Sequence, residues 1–543
     1  LSNLVRQLQD RDQHDWCEAA GQSEPLTTRL KNLLKDYPAD VGLFKEMVQN
    51  ADDAGAARVH FIWDSRKPGR GSLLSPEMAA WQTNCLWAYN DALFTEQDFE
   101  AICRLGVGGK RSSSERIGRF GLGFNSVYNL TDLPSILSDS MILFLDPHVS
   151  HLRQMGASTQ KPGIKLRFLK VNVLDRFRDQ FEPYHKLLGC DLESSIPFKG
   201  TLIRIPFRTK ESSARSEISK IVVSDEMVAA LSQQFQAEAF QWLLFLQNVQ
   251  EISMSRLVVT NGSMEPVLQR VCSVSLPRAG LTKRPSLVTC GSVGRGTAVS
   301  THLEVSCSAD SKDEKQTLRR YHLFTDTQHG FRSRVCLAVP LMQEQDAGGD
   351  VWCHDEDGRV FCFLPLPRNV DLGLRLHVHA PLNMAQDRRS VLLDNRIGES
   401  EQELVRHNFY LLDDLIPSAL LACLQDLAVK RNQMPPAHFF ALFPTLHNKS
   451  QAPSERIAKT FYAKLLSQTS CPLPVAAPAV SKQRRIEARP AYWVKVADAV
   501  FVPSLSSARA EQVTQALLDS VVECLLRCGV PIVDAPPNVL ESL

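Results

Sequence analysis

The chain has 543 residues, with 61 Lys plus Arg against 60 Asp plus Glu, and so carries a formal charge of +1. That length supports about two to four domains with separate cores. Near-neutrality supplies no global field to draw in nucleic acid or an anionic membrane. The basic clusters Lys482 to Arg489 and Arg319-Arg320 lack the interleaved aromatics of a base-stacking surface, so nucleic acid is not an expected partner. The 14 cysteines form no Cys-x-x-Cys pair and no disulfide framework, which suits a reducing compartment; the expected location is cytoplasmic. The longest apolar stretch, Phe240 to Val249, is broken by glutamines and too short for a bilayer, so no membrane insertion is expected. A first residue Leu and an end without tail-like polarity suggest a segment of a longer chain.

Residues 1–25 read as a polar leader, followed by a helix from Leu26 to Tyr37 that Pro38 closes. Leu43, Phe44, Met47, Val48 and Ala51 then recur at helical spacing, and Gly55 supplies a stop. Glu46, Asn50 and Asp53 share the opposite face of that helix. They are hard oxygen donors, suited to holding a divalent cation and orienting a water, as at a Mg-nucleotide site. A strand Arg58 to Asp64 follows, then a poorly ordered insertion near Lys67 to Ser75. A short strand from Cys85 ends at Asp91. That residue is either a turn carboxylate or an acceptor for the exocyclic amine of a base, and Thr95 and Asp98 cap the next helix.

Gly106 to Glu115, rich in Gly, Ser and charge, reads as a mobile lid or a plain surface loop. Gly118, Gly121 and Gly123 permit close backbone approach, and Phe124 to Tyr128 opens a helix whose N–H groups would attract phosphate. The pattern is neither a Walker loop nor a Rossmann fingerprint. Strands at Ile142 to Leu145, Lys165 to Val171 and Thr201 to Phe207 complete a mixed sheet, the last entered by Gly200-Thr201. A helix is predicted from Asp225 through Gln250. Strands are expected at Arg256 to Thr260, Thr301 to Cys307, His322 to Thr325, Val335 to Pro340, Val360 to Leu366 and Leu374 to His379. His377 and His379 lack a third ligand and read as structural. From Glu399 helices dominate, with Pro435-Pro436 and Ser470 to Ser481 as linkers.

Taken in this order, the motifs resemble the Bergerat nucleotide fold of the gyrase, heat-shock chaperone, histidine kinase and mismatch-repair superfamily. The resemblance is closer still to a sacsin repeat. It rests on Leu26 to Asn32, Gln49 to Gly55, Tyr89-Asn90-Asp91-Ala92, Lys110-Arg111, Gly118 to Tyr128, Leu145-Asp146-Pro147-His148, Phe361 to Pro367 and Arg388-Arg389. It implies an α+β chain: a Bergerat-type α/β sandwich over residues 26–255, a strand-rich α/β middle domain over 256–395 and a mainly helical extension over 396–543.

The cofactors it implies are ATP and Mg2+. By the same resemblance Glu46 would be the general base, Asn50 the Mg ligand and Asp91 the adenine acceptor, favouring ATP over GTP. Asp53, Lys110, Gly118, Gly121, Gly123 and Phe124 would lie about the nucleotide, Thr201 would support the adenine contact, and Arg388 and Arg389 would reach the γ-phosphate. The activity implied is weak ATP hydrolysis with lid and middle-domain closure, serving protein clients or co-chaperones. The wider superfamily has glycines after its adenine-binding Asp, where this chain has Ala92, Leu93 and Phe94. The alternative is a degenerate nucleotide fold kept as an interaction scaffold without turnover.

Overall fold

The computed structural model describes residues 24–103, 123–194, 196–258, 267–276, 299–309, 316–326, 334–343, 350–352, 358–385, 390–393, 399–429, 441–445, 453–467, 473–474 and 493–494. The Gly106 to Glu115 segment, Lys110, Gly118, Gly121, Arg388, Arg389, Pro435-Pro436 and nearly all of the leader lie outside the described residues.

Helix α1 (Leu26–Leu33) is shorter than the sequence suggests, because the next residues turn toward Pro38. Helix α2 (Gly42–Asp53) buries Leu43, Phe44, Met47, Val48 and Ala51, and Gly55 ends it at φ +80°, a conformation cheap only for glycine. Strand β1 (Arg58–Asp64) pairs antiparallel with β2 (Cys85–Asn90) and parallel with β7 (Glu251–Val258). On the other side of β2 lie β6 (Phe198–Pro206), β3 (Ser135–Asp139), β4 (Met141–Leu145) and β5 (Gly163–Arg167). Helix α3 (Glu96–Ile102) starts at a capping box in which Thr95 and Asp98 satisfy each other's backbone N–H, as their spacing predicts.

The sheet does not stop at β7. It continues through β8 (Val267–Ser275), β9 (Val299–Ala309), β10 (Gln316–Thr325) and β11 (Cys336–Gln343) into short strands at His377–His379, Val360–Cys362 and Leu364–Pro365. One mixed sheet therefore runs through the boundary placed at residue 255, which falls inside β7. His377 and His379 are core residues: their Nδ1 atoms accept the N–H groups of Arg359 and Phe363.

Helix α4 (Asp225–Trp242) ends sooner than the predicted Gln250. The apolar run continues through Leu246, but as a buried turn, and the N–H groups of Gln247, Asn248 and Val249 go to the Asp52 carboxylate instead of a helical ladder. Helices α2 and α4 cover one face of the sheet, where Phe44, Phe61 and Phe235 meet edge to face with centroids 4.9 to 5.7 Å apart. The other face is covered by Trp81, Phe181, Tyr184 and neighbours from short helical turns and loops. Contrary to the sequence reading, the insertion near Lys67 to Ser75 is pinned: Asp179 accepts the N–H groups of Gly71 at 2.6 Å and Ser72 at 3.0 Å. A third core joins the far strands to the wide turn Leu411–Leu415 and to helices α5 (Ile416–Val429) and α6 (Pro453–Ser467). Among the described residues no helix is long and apolar enough to cross a membrane.

Candidate functional site

The polar edge of α2 follows from its periodicity. With the apolar stripe turned into the core, Glu46, Asn50 and Asp53 are left half-buried at its margin. Lys45, next to Glu46, turns toward α4 and pairs with Glu238 at 2.8 Å; Arg359 stands 3.7 Å from the same carboxylate. Burial is the main influence on the Lys45 ammonium and lowers its pKa, with Glu238 opposing.

Glu46 meets the 3-10 turn Gly123–Asn129, whose Phe124, Val127 and Tyr128 share the core with Phe44 and Val48. The contact is close: a Cβ added to Gly123 would lie 1.7 Å from Glu46 Oε2 and 2.6 Å from its Cδ. Only glycine admits the carboxylate there. The far end of the turn is held by Arg208, whose buried guanidinium donates to the carbonyls of Tyr128 and Asn129, both at 2.8 Å, and to Asp132. Asp132 also pairs with His148 at 3.1 Å. Burial would raise the Asp132 carboxyl, but His148 and Arg208 outweigh it and hold the pKa below the usual carboxylate range. The Leu145 to His148 motif is thereby structural: Asp146 caps the N–H groups of His151 and Leu152, and His148 steadies Asp132.

Below α2 the end of the sheet carries a polar row. Register places Val59, Asn90, Thr201 and Ser138 side by side across β1, β2, β6 and β3. Residues directly opposite one another share a face, and this is the face whose Leu86, Ala88 and Ile203 pack into the α2 core. Thr201 donates to the carbonyl of Ala92 at 2.8 Å and bonds Ser138 Oγ at 2.9 Å. Gly200, at φ +151°, lets β6 pass the Tyr89 ring and the Asn90 carbonyl, which a Cβ would meet at 2.7 and 2.8 Å.

Glu46 and Gly123 are thus brought together, as are Thr201 and the 90–92 segment. Asp91 is placed differently from its reading as an adenine acceptor: Oδ1 accepts the N–H groups of Ala57 at 2.8 Å and Arg58 at 3.0 Å, and Oδ2 accepts Arg58 Nε at 3.1 Å. It ties the end of β2 to the start of β1. Phe124, expected beside the nucleotide, lies in the α2 core with 8% of its surface exposed. Phe94 packs edge to face with Phe99 at 5.3 Å. Sequence reasoning passed over Asn90, Ser138, Arg208 and Asp52. Only Asn90 carried a signal, as the last alternating residue of β2 before Asp91.

Residues 23–270 match the family model described as "Sacsin domain". Over 256 residues, or 46% of its length, the chain is 38% identical to Sacsin of Homo sapiens. It spans 6% of that much longer relative. A solved structure titled "Crystal Structure of N terminal domain of a DNA repair protein" aligns over 70% of this chain and 97% of its own, at 11% identity and a TM-score of 0.33, a likeness too slight to carry an argument.

Proposed function

We propose that residues 26–255 act as a Bergerat-type nucleotide-binding unit, and that the chain is an ATP-binding, weakly hydrolysing, chaperone-like module of a sacsin-type protein. The observation that carries this reading is the contact of the Glu46 carboxylate with Gly123. It sets a base at the start of a turn whose sequence suits phosphate, on the polar edge that also bears Asn50 and Asp53.

The donors fit a hard cation. They are carboxylate and amide oxygens with no thiol among them, so Asn50 would hold Mg2+ and Asp53 would support it. The ion would supply charge neutralisation at the phosphates. Glu46, half-buried and oriented by its close fit to Gly123, would accept the proton of the attacking water. In the same reading Lys110, Gly118 and Gly121 flank the phosphates and Arg388 and Arg389 approach from the middle strands. These roles come from the resemblance. Protein clients or co-chaperones are the proposed partners.

A second reading, an interaction scaffold without turnover, is favoured by the packing of Phe94 on Phe99, in the segment where the superfamily keeps flexible glycines. Calorimetric titration of the 543-residue chain with Mg-ATP, followed by a phosphate-release assay, separates the two. Saturable binding with slow release supports the module, and saturable binding with no release supports the scaffold. No binding at millimolar Mg-ATP would overturn the nucleotide assignment.

A further inference from the structure

We propose that the outer edge of β5 (Gly163–Arg167) is a docking site for an extended acidic peptide, which adds to the sheet as one more strand. This surface is separate from the residues of the nucleotide reading. β5 ends the order of the large sheet and pairs with β4 alone among the described residues. The phase of that pairing decides which groups face outward. Asp146 N–H donates to the Pro162 carbonyl at 3.0 Å, one step beyond the pairing of Leu145 with Gly163. The hydrogen-bonded pairs are therefore Ile164 with Phe144 and Leu166 with Ile142. The N–H and C=O groups of Lys165 and Arg167 point away from β4, and no group among the described residues receives them. Both residues are exposed, so the row is open to solvent. An open edge of this kind is a template for another strand.

The charge on this edge selects the occupant. Between Pro147 and Leu174 the chain carries Arg153, Lys161, Lys165, Arg167 and Lys170, all exposed, and no Asp or Glu. Among the described residues the acid that reaches β5 is Glu96, 3.8 Å from Lys165 Nζ and 3.4 Å from Arg167 Nη2. One exposed carboxylate shared by two cations leaves the edge positive. Lys165 and Arg167 lie on one face by alternation, and Ile164 and Leu166 pack against the core on the other. A second copy of β5 would set basic side chains opposite basic side chains, which repel. A segment with Glu or Asp at alternate positions would place carboxylates across from Lys165 and Arg167 while its backbone completes the ladder. Nucleic acid would use the charges alone and leave the row of N–H and C=O groups unmet.

The test titrates a fluorescent peptide of alternating Glu and Val into the 543-residue chain at about 0.15 M salt, where charge attraction beyond about 8 Å is screened. Binding to the wild type should saturate below about 1 mM. The same peptide N-methylated at every second residue, on the amides that would face β5, keeps its charge and loses the ladder. It should bind at least about tenfold more weakly. In the protein, Lys165→Gln removes one charge, whereas Lys165→Pro removes that charge together with the outward N–H and spares the pairing with β4. Lys165→Pro should bind at least about tenfold more weakly than Lys165→Gln. Changing both Lys165→Glu and Arg167→Glu should transfer the preference to a peptide of alternating Lys and Val. The proposal is overturned by a wild type that shows no saturable binding, by an N-methylated peptide that binds as well as its parent, or by Lys165→Pro matching Lys165→Gln. The N-methylated peptide is read on the wild type, so that arm decides even where Lys165→Pro does not fold. A single-stranded oligonucleotide that displaces the peptide at equal affinity would make the surface a general polyanion site and overturn the peptide assignment.

Discussion

Glu46 and Gly123 are fitted to each other: a β-carbon on Gly123 would stand 1.7 Å from the Glu46 carboxylate oxygen and 3.3 Å from its Cγ. The obstructed atoms belong to the end of a flexible side chain, so Gly123→Ala can be accommodated by turning the carboxylate aside. Folding stability should then change by no more than about 1 kcal/mol. The cost falls on geometry, since a displacement of about 1 Å at a reacting group can lose 10²-fold in rate. Urea unfolding and phosphate release measured on the same preparation check this. A large loss of stability with the per-molecule rate preserved would show the contact to be packing alone.

Glu46→Gln keeps the shape against Gly123 and removes the basicity. Turnover should fall by roughly 10²- to 10⁴-fold while Mg-ATP affinity stays close to wild type. Asn50→Ala should do the reverse, weakening Mg-dependent binding by roughly tenfold, the worth of one hydrogen bond of ordinary strength. Single-turnover kinetics beside calorimetry distinguish the two effects. Unchanged hydrolysis in Glu46→Gln would mean that another group takes the proton.

Local periodicity made much of this site legible. The apolar stripe of α2 and its stop at Gly55 are written in five residues and a glycine, and β1 was readable to its ends because both neighbours bury it. What stayed hidden depends on distant partners. The side of the sheet on which Asn90 and Asp91 lie is set by register with β6, more than 100 residues away, and no local pattern encodes that register. The Lys67 to Ser75 segment has loop composition, yet Asp179 satisfies its backbone. Helix α4 was overread because Leu243 to Leu246 are as apolar as a helix interior, while the N–H groups that follow are taken by Asp52, 195 residues earlier in the chain.

The adjacent carboxylates Asp52 and Asp53 should therefore behave in opposite ways. Asp52 is 1% exposed and receives the N–H groups of Gln247 at 3.0 Å, Asn248 at 2.7 Å and Val249 at 2.9 Å. Removing it in Asp52→Ala orphans those donors where α2 meets the end of α4. A charged acceptor lost from a buried network costs about 1.5–3 kcal/mol or more. Asp53 is half-buried on the polar edge, so Asp53→Ala should cost less stability than Asp52→Ala while lowering Mg-ATP affinity. Equal losses of stability in both variants would assign both residues to the scaffold.

The buried His379 and the half-buried His60 should make the fold acid-sensitive. Burial, helped by Arg270, pushes His60 down to about 4. Burial pushes His379 to about 3, with a backbone hydrogen bond to Phe361 opposing and Arg334 assisting. Both lie below the ordinary value of about 6.5. The unfolded chain therefore binds protons at these positions while the native chain does not, and stability falls as pH drops below about 6.5 toward these folded values. Each site can contribute up to about 1.4 kcal/mol per pH unit inside that window. Glutamine retains a hydrogen-bonding side chain but does not titrate, so His60→Gln and His379→Gln should each flatten the decline. Between about pH 6.5 and pH 5, each variant should lose about 1–2 kcal/mol less than the wild type, with stability at about pH 7.5 as the common reference. Urea unfolding at those three pH values supplies the slopes. Slopes identical to wild type in both variants would place the acid sensitivity on the carboxylates instead.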